Sequence, residues 1–287
     1  MFNKRHIVRT IAATVSILAL SFTAACGSGQ STASNSTDSD DITQQTYKPG
    51  KLTIATGQPA YEPWVMKDKP ESGEGYEAAV AYAVADKLGF KKSDVVWTRT
   101  AFDTAIAPGA KDWDFNIQQF GITDERKKAV DFSSSYYNDS QSVVVKKDSK
   151  FANATKVSDL KDATVGVMVG TLAYDYAKAN IKDDIQTFND DAALAQALDA
   201  GQIDALVTST VECVYMVQSE QVKDAKVLGR LPDSEDKSGM GIVLPKDSKL
   251  TAAVTKAVDD LNADGTIKKL QDKWLAEYTT DLTELKK

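Results

Sequence analysis

Residues 114–137 read DFNIQQFGITDERKKAVDFSSSYY. The run WDFNIQQF, which begins one residue earlier, predicts a strand. A glycine, a charged ITDERKK segment and a closing pair of tyrosines follow it. A strand running into a turn that carries one committed cation, Arg126, fits three jobs. These are catalysis, capture of a small anionic group, or nothing beyond a charged helix at the surface.

The segments around it repeat one pattern. KLTIAT (51–56) predicts a strand, and Tyr76, Ala79, Val80, Ala83, Val84 and Leu88 fall at helical spacing before Gly89. DVVWT, SVVVKK (142–147), TVGVMVG, IDALVT, AKVLGR and GMGIVLPK predict further strands, with helices between most of them. Two helices close the chain, one on Leu250, Val254, Ala257, Val258 and Leu261, the other on Ile267, Leu270, Trp274, Leu275 and Tyr278. Strands alternating with helices predict an α/β fold with mainly parallel sheets. The pattern runs once before about residue 138 and once after it, so two lobes meeting at a cleft are expected.

The N-terminus bounds the compartment. MFNKRHIVR is basic, residues 10–25 carry no charge, and small residues precede Cys26. The apolar run is short for a membrane span and has the layout of a secretory signal, expected over 1–25. Small residues before a cysteine also fit a bacterial lipidation site at Cys26, although Thr23 stands where a larger aliphatic residue is usual. Residues 26–47 hold too little apolar surface to bury a core and predict a flexible tether. One acyl chain binds membranes weakly, so a stable anchor there needs several chains.

The remaining residues narrow the chemistry. The only histidine, His6, lies in the leader, and the only cysteine beyond Cys26 is Cys213. An internal disulfide and the usual serine-triad, cysteine–histidine and histidine–metal chemistries are therefore excluded, and no metal or cofactor is expected. The net charge of −7 becomes −10 once Lys4, Arg5 and Arg9 leave with the leader, which argues against a nucleic-acid partner.

Several positions admit both a functional and a plain reading. Arg126 can fork a carboxylate, or can be a solvated charge beside Asp124, Glu125, Lys127 and Lys128. Gly170-Thr171 can open an anion-binding helix N-terminus, or can be a turn with Thr171 as its cap. Tyr61, Trp64 and Phe102 can hold a ligand or cover the core. Tyr136 and Tyr137 read as hinge packing, Glu77 as a helix-dipole acid, Asp204 as a strand-orienting residue and Cys213 as buried and inert.

The chain resembles the bacterial extracellular solute-binding proteins for polar amino acids, the receptor subunits of ABC importers. LTIATGQPAYEPW is similar to that family's first strand and aromatic-Pro-aromatic loop, and GEGYEAAVAYAVADKLGF to its first helix. The 114–137 stretch resembles its Ile-Thr-x-x-Arg, Asp-Phe-Ser and aromatic-pair signature. VSDLKDATVGVMVGTLAYDYAKANI resembles the opening of the second lobe, and ADGTIKKLQDKWL the terminal helix. The likeness spans about 50–282.

The resemblance implies a two-lobed, type II periplasmic-binding-protein clamp with two hinge crossovers. Lobe 1 would comprise 48–138 and 234–287, and lobe 2 would comprise 139–233. It also implies that Arg126 grips a ligand α-carboxylate, joined by the amides of Thr171 and Leu172. Tyr61 and Phe102 would hold the ligand side chain, and Gln119 and Gly121 would offer backbone contacts. The implied partners are a small amino acid or analogue and an ABC transporter permease, with the protein a monomer lipid-anchored on the outer face of the cell membrane. Three positions depart from the family pattern. Gly121 replaces a hydroxyl residue, Leu172 a small or polar one, and Ser209 the Asp that balances the ligand ammonium. The last departure predicts weakened discrimination for a free α-ammonium, unless Gln119, backbone carbonyls or Glu212 compensate. The competing readings are a sensor or adhesion lipoprotein and a dehydratase on the same fold. The absence of mature histidines and of paired acids at the matched positions argues against the dehydratase.

Overall fold

The computed structural model describes residues 41–279 and 282–287. The expected leader, the lipidation site Cys26 and the tether up to residue 40 lie outside the described residues. Among the described residues, no helix is long and apolar enough to cross a membrane.

Along the chain, β1 (Leu52–Thr56), α1 (Tyr76–Lys87), β2 (Val95–Arg99), α2 (Phe102–Ile106), β3 (Phe115–Asn116) and β4 (Val130–Tyr137) build the first lobe. The second follows with β5 (Gln141–Lys146), β6 (Val165–Met168), α3 (Leu172–Asn180), β7 (Gln186–Phe188), α4 (Asp191–Asp199), β8 (Ala205–Ser209), α5 (Thr210–Gln218) and β9 (Ala225–Arg230). The chain then returns to the first lobe as β10 (Met240–Pro245), α6 (Thr251–Ala263) and α7 (Thr266–Trp274). Two five-stranded sheets result, in the orders β2-β1-β3-β10-β4 and β7-β6-β8-β5-β9. The backbone passes between them at 138–140 and again at 231–239.

The sheets are less parallel than the strand-helix alternation predicts. β1 pairs in parallel with β2 and β3, and β6 with β7 and β8. Every antiparallel pairing instead involves β5 or β10, strands next to a crossover. Such strands follow a crossover rather than a helix packed on their own sheet, so the βαβ rule does not set their direction.

The valines of β5 show how the sequence builds the second lobe. Val143, Val144 and Val145 are all fully buried. Successive strand side chains point to opposite faces. Val143 and Val145 accordingly join one apolar cluster with Leu160, Val165 and Val207, while Val144 joins another with Leu194, Leu198 and Leu206. A run of three apolar residues therefore marks a strand covered on both faces. In the first lobe, α6 buries Val254, Ala257, Val258 and Leu261, the stripe expected from its spacing.

The chain ends sit differently from the sequence expectation. Residues 41–47, expected in the tether, are docked on the first lobe. Buried Asp114 accepts the Tyr47 amide at 2.6 Å through one carboxylate oxygen and the Thr53 amide at 2.6 Å through the other. Residues 282–287, expected with lobe 1, lie against the second sheet. Leu285 is buried in its core, and bridges join Arg230 to Glu284 and Lys156 to Lys286. A single apolar residue with backbone pairing on both sides is enough to dock that tail.

Candidate functional site

The parallel strands of both sheets aim their carboxyl ends at one cleft, the usual ligand position in α/β folds. Thr56 ends β1, Phe102 follows β2, Gln118 and Gln119 follow β3, Met168 ends β6, Asp191 follows β7 and Ser209 ends β8. All of them line a cavity of about 90 Å³. That volume suits one small molecule or a few waters. All eight residues singled out as ligand contacts, Tyr61, Phe102, Gln119, Gly121, Arg126, Thr171, Leu172 and Ser209, line this one cavity.

Arg126 departs from its surroundings. Asp124, Glu125, Lys127 and Lys128 are exposed, whereas Arg126 is half-buried. Its Nη1 donates to the Gly121 carbonyl at 2.6 Å, and its Nη2 donates across the cleft to the Gly170 carbonyl at 2.9 Å. The guanidinium lies 5.4 Å from the centre of the Phe102 ring, which stacks in turn on Phe120 at 4.7 Å. Phe102 thus braces the cation as well as lining the cleft. Burial lowers the Arg126 pKa, partly offset by Asp175 and Asp236, but an arginine keeps its charge at any ordinary pH.

Opposite Arg126, Thr171 caps α3. Its hydroxyl accepts the Tyr174 amide at 3.2 Å and donates to the Met168 carbonyl at 2.8 Å. The first amides of a helix have no helical acceptor, so those of Thr171 and Leu172 are available to an anion. The turn-and-cap reading and the anion reading describe the same atoms.

Gly121 and Leu172 occupy one another's space. A Cβ on Gly121 would come within 2.5 Å of Leu172 Cδ1 and 2.8 Å of Asp236 Oδ2. Two of the three departures from the family pattern therefore form a complementary pair. Gln119 spends its N–H groups on a buried acid. Its amide donates to Glu77 Oε1 at 2.7 Å, and its side-chain amide nitrogen donates to Glu77 Oε2. Its backbone φ of 49° turns the chain to reach that acid.

Glu77 is more than a helix-dipole acid. Fully buried, it accepts from Gln119 and from the Tyr136 hydroxyl, and burial pushes its pKa up to about 7. Trp64 is fully buried with Tyr76 and Tyr137, and its indole N–H donates to Glu212 Oε2 at 3.3 Å. The Tyr61 hydroxyl accepts the Ala192 amide at 3.4 Å, and the Tyr215 hydroxyl donates to Glu62 Oε2 at 3.2 Å. With the Arg126 bond to Gly170, these contacts hold the lobes together around the cleft.

Ser209 caps α5 by accepting the Glu212 amide at 3.3 Å. The cleft also holds acids beyond Glu212, the one acid that the sequence reading offered as a substitute. Glu212, Asp139, Asp191 and Asp236 all line it. Burial pushes Asp139 and Asp191 up to about 6 and raises Glu212 well above the carboxylate range. Asp191 opens a helix and Asp139 sits in a crossover, so each has the local sequence of an ordinary capping or turn acid. Among the described residues, no group of three or more metal-ligating side chains has the geometry to hold an ion. Cys213 is buried, and burial raises its thiol pKa, as an inert core residue requires.

Residues 52–277 match the family of bacterial extracellular solute-binding proteins, family 3. The chain belongs to that family. The solute-binding protein is 29% identical over 245 residues to an L-arginine-binding protein of Pseudomonas aeruginosa, covering 80% of this chain and 88% of the relative. It is 30% identical over 223 residues to the L-cystine-binding protein TcyJ of Escherichia coli, covering 77% and 81%. Among solved structures, an ancestral arginine-binding protein bound to arginine superposes with a TM-score of 0.67 at 31% identity, covering 78% of this chain and 98% of the other. The arginine-, lysine-, histidine-binding protein ArtJ of Geobacillus stearothermophilus gives a TM-score of 0.67 at 26% identity, covering 79% and 95%. The solute-binding protein therefore shares the two-lobed clamp that its strand order describes.

Proposed function

We propose that this solute-binding protein captures an amino acid between its lobes, with the α-carboxylate held by Arg126 and by the amides that open α3. The observation that carries this reading is Arg126 itself. Among the described residues it is the one cation lining the cleft, and its guanidinium spans the two lobes beside a helix N-terminus. A carboxylate there would replace carbonyl contacts with charge-assisted ones from both lobes, so binding would favour the closed clamp. The relatives named as binding proteins for arginine and cystine support an amino acid as the ligand class.

In this reading the protein carries out no reaction and delivers its ligand to an ABC transporter permease. It works as a monomer on the outer face of the cell membrane, tethered by lipid on Cys26. The basic, apolar, small-residue leader and the polar segment after Cys26 support the anchor. The test is calorimetry of the soluble clamp with amino acids and their α-amides. Free acids should bind and α-amides should not. Equal affinities would overturn the carboxylate assignment.

A further inference from the structure

Three acids in the cleft face one another with no cation among them. Glu212 is 4% exposed, Asp139 is 9% exposed, and Asp191 is half-buried at the start of α4. The charges that act on Glu212 are Asp191, Asp139 and Glu77, all of its own sign. Arg126 does not relieve them, since the charges that act on it are Asp175 and Asp236. Among the described residues, no ion pair includes any of the three acids, and no hydrogen bond joins two of them.

Glu212 and Asp191 have few donors. Glu212 Oε2 has the Trp64 indole at 3.3 Å, and Asp191 Oδ1 has the Thr208 hydroxyl at 3.3 Å. Asp139 is better served, by the amides of Ser140 at 2.7 Å and Val211 at 3.5 Å and by the Ser209 hydroxyl and the Thr210 amide. Removing unpaired carboxylates from water is costly, and several close together are costlier still. An independent feature of the same wall also points to a ligand. Thr56 is 1% exposed and lines the cleft, yet its hydroxyl has no partner, and the side-chain carbonyl of Gln118 beside it is also unpaired. A wall of unpaired oxygens calls for a molecule rich in N–H donors.

Resting on the proposed carboxylate grip, we infer that the ligand is a basic amino acid whose second positive charge docks against Glu212, Asp191 and Asp139. A neutral zwitterion offers one ammonium to these three acids, whereas arginine, lysine or ornithine offers two cationic groups. One end of the cleft then reads the carboxylate and the other reads the side-chain charge. This assignment also replaces the expectation drawn from Ser209. The ammonium has carboxylates available without an Asp at that position, so weakened discrimination for a free α-ammonium no longer follows.

The test is calorimetry at pH 7.5 on protein unfolded and refolded to strip any carried ligand. The probes are L-arginine, L-lysine, L-ornithine, L-glutamine and agmatine, which is arginine without its carboxylate. At least one basic amino acid should bind about 100-fold or more tightly than glutamine. Glu212→Gln, which keeps the size and the acceptor for Trp64, should weaken that binding by about 30-fold or more. Asp191→Asn should act in the same direction, and thermal melting of both apo variants should show them folded. If glutamine binds as tightly as the basic amino acids, or neither variant affects them, the inference fails while carboxylate capture stands. If agmatine matches arginine, the carboxylate grip fails instead. If none of the five binds, both fall.

Discussion

A Cβ on Gly121 would stand 2.5 Å from Cδ1 of Leu172, although one residue belongs to the first lobe and the other opens a helix of the second. No real Cβ tolerates such an approach, so the absence of a side chain at 121 and the bulk of Leu172 are two halves of one contact. Gly121 does not serve an unusual backbone angle, because it is not among the glycines with positive φ. Its role is to make room where the lobes meet.

That relationship predicts coupling between the two positions. Gly121→Ser should destabilise the closed protein by about 1–3 kcal/mol, the usual range for overpacking. The same substitution should cost much less in a Leu172→Ala background. A double-mutant cycle by urea unfolding measures the difference, which should reach at least about 0.5 kcal/mol. Strict additivity would mean that the lobes do not meet here in solution.

Arg126 should be the largest single contributor to affinity. Removing one partner of a buried charge pair costs about 2–5 kcal/mol. Arg126→Ala should therefore weaken ligand binding by about 30-fold to several thousand-fold. Arg126→Lys should recover only part of the loss, because an ammonium keeps the charge but not the planar fork that reaches Gly121 and Gly170. Calorimetry that finds Ala, Lys and Arg equivalent at 126 would return the residue to an ordinary surface charge.

Local reading placed Gln119, Gly121, Thr171 and Ser209 where predicted strands stop, but it was the family resemblance that gave Gln119, Gly121 and Ser209 a role in the site. Apart from Glu212, the acid pole was not legible, because its other members come from a crossover and a helix start. Trp64 and Glu212 are 148 residues apart, and no local pattern joins them. Glu77 does stand in the first turn of α1, as read, but its further role was hidden for the same reason, since its donors Gln119 and Tyr136 lie 42 and 59 residues away. The docked segment 41–47 was hidden by its polar composition. Its attachment runs through the Tyr47 amide to Asp114, which composition does not reveal.

Anchoring can be tested apart from binding. If Cys26 bears the lipid, Cys26→Ser should move the protein from the membrane pellet to the soluble fraction without changing ligand affinity. Immunoblotting of fractionated cells gives the answer. A variant that stays in the pellet would place the anchor elsewhere.

The buried acids predict an unusual pH response of the empty protein. Burial raises Glu77 from 4.5 to about 7, and Asp139 and Asp191 from 3.8 to about 6. In the unfolded chain they titrate near their ordinary values, so between pH 4 and 7 the folded state holds more protons. Stability must then fall as pH rises through that window. Facing these groups are Glu212, Asp190 and the hydroxyls of Tyr61 and Tyr136, none of which supplies a compensating cation. The only histidine of the sequence, His6, lies outside the described residues, so no histidine among the described residues contributes. The apo protein should therefore melt at a higher temperature at pH 5.5 than at pH 7.5. Saturating basic amino acid should reverse the trend, because a bound cation favours the ionised carboxylates and its affinity should drop as pH falls through about 6. Differential scanning calorimetry with and without ligand reads both slopes. An apo melting temperature that is flat or rises with pH over this range would mean that the acids are not buried unpaired.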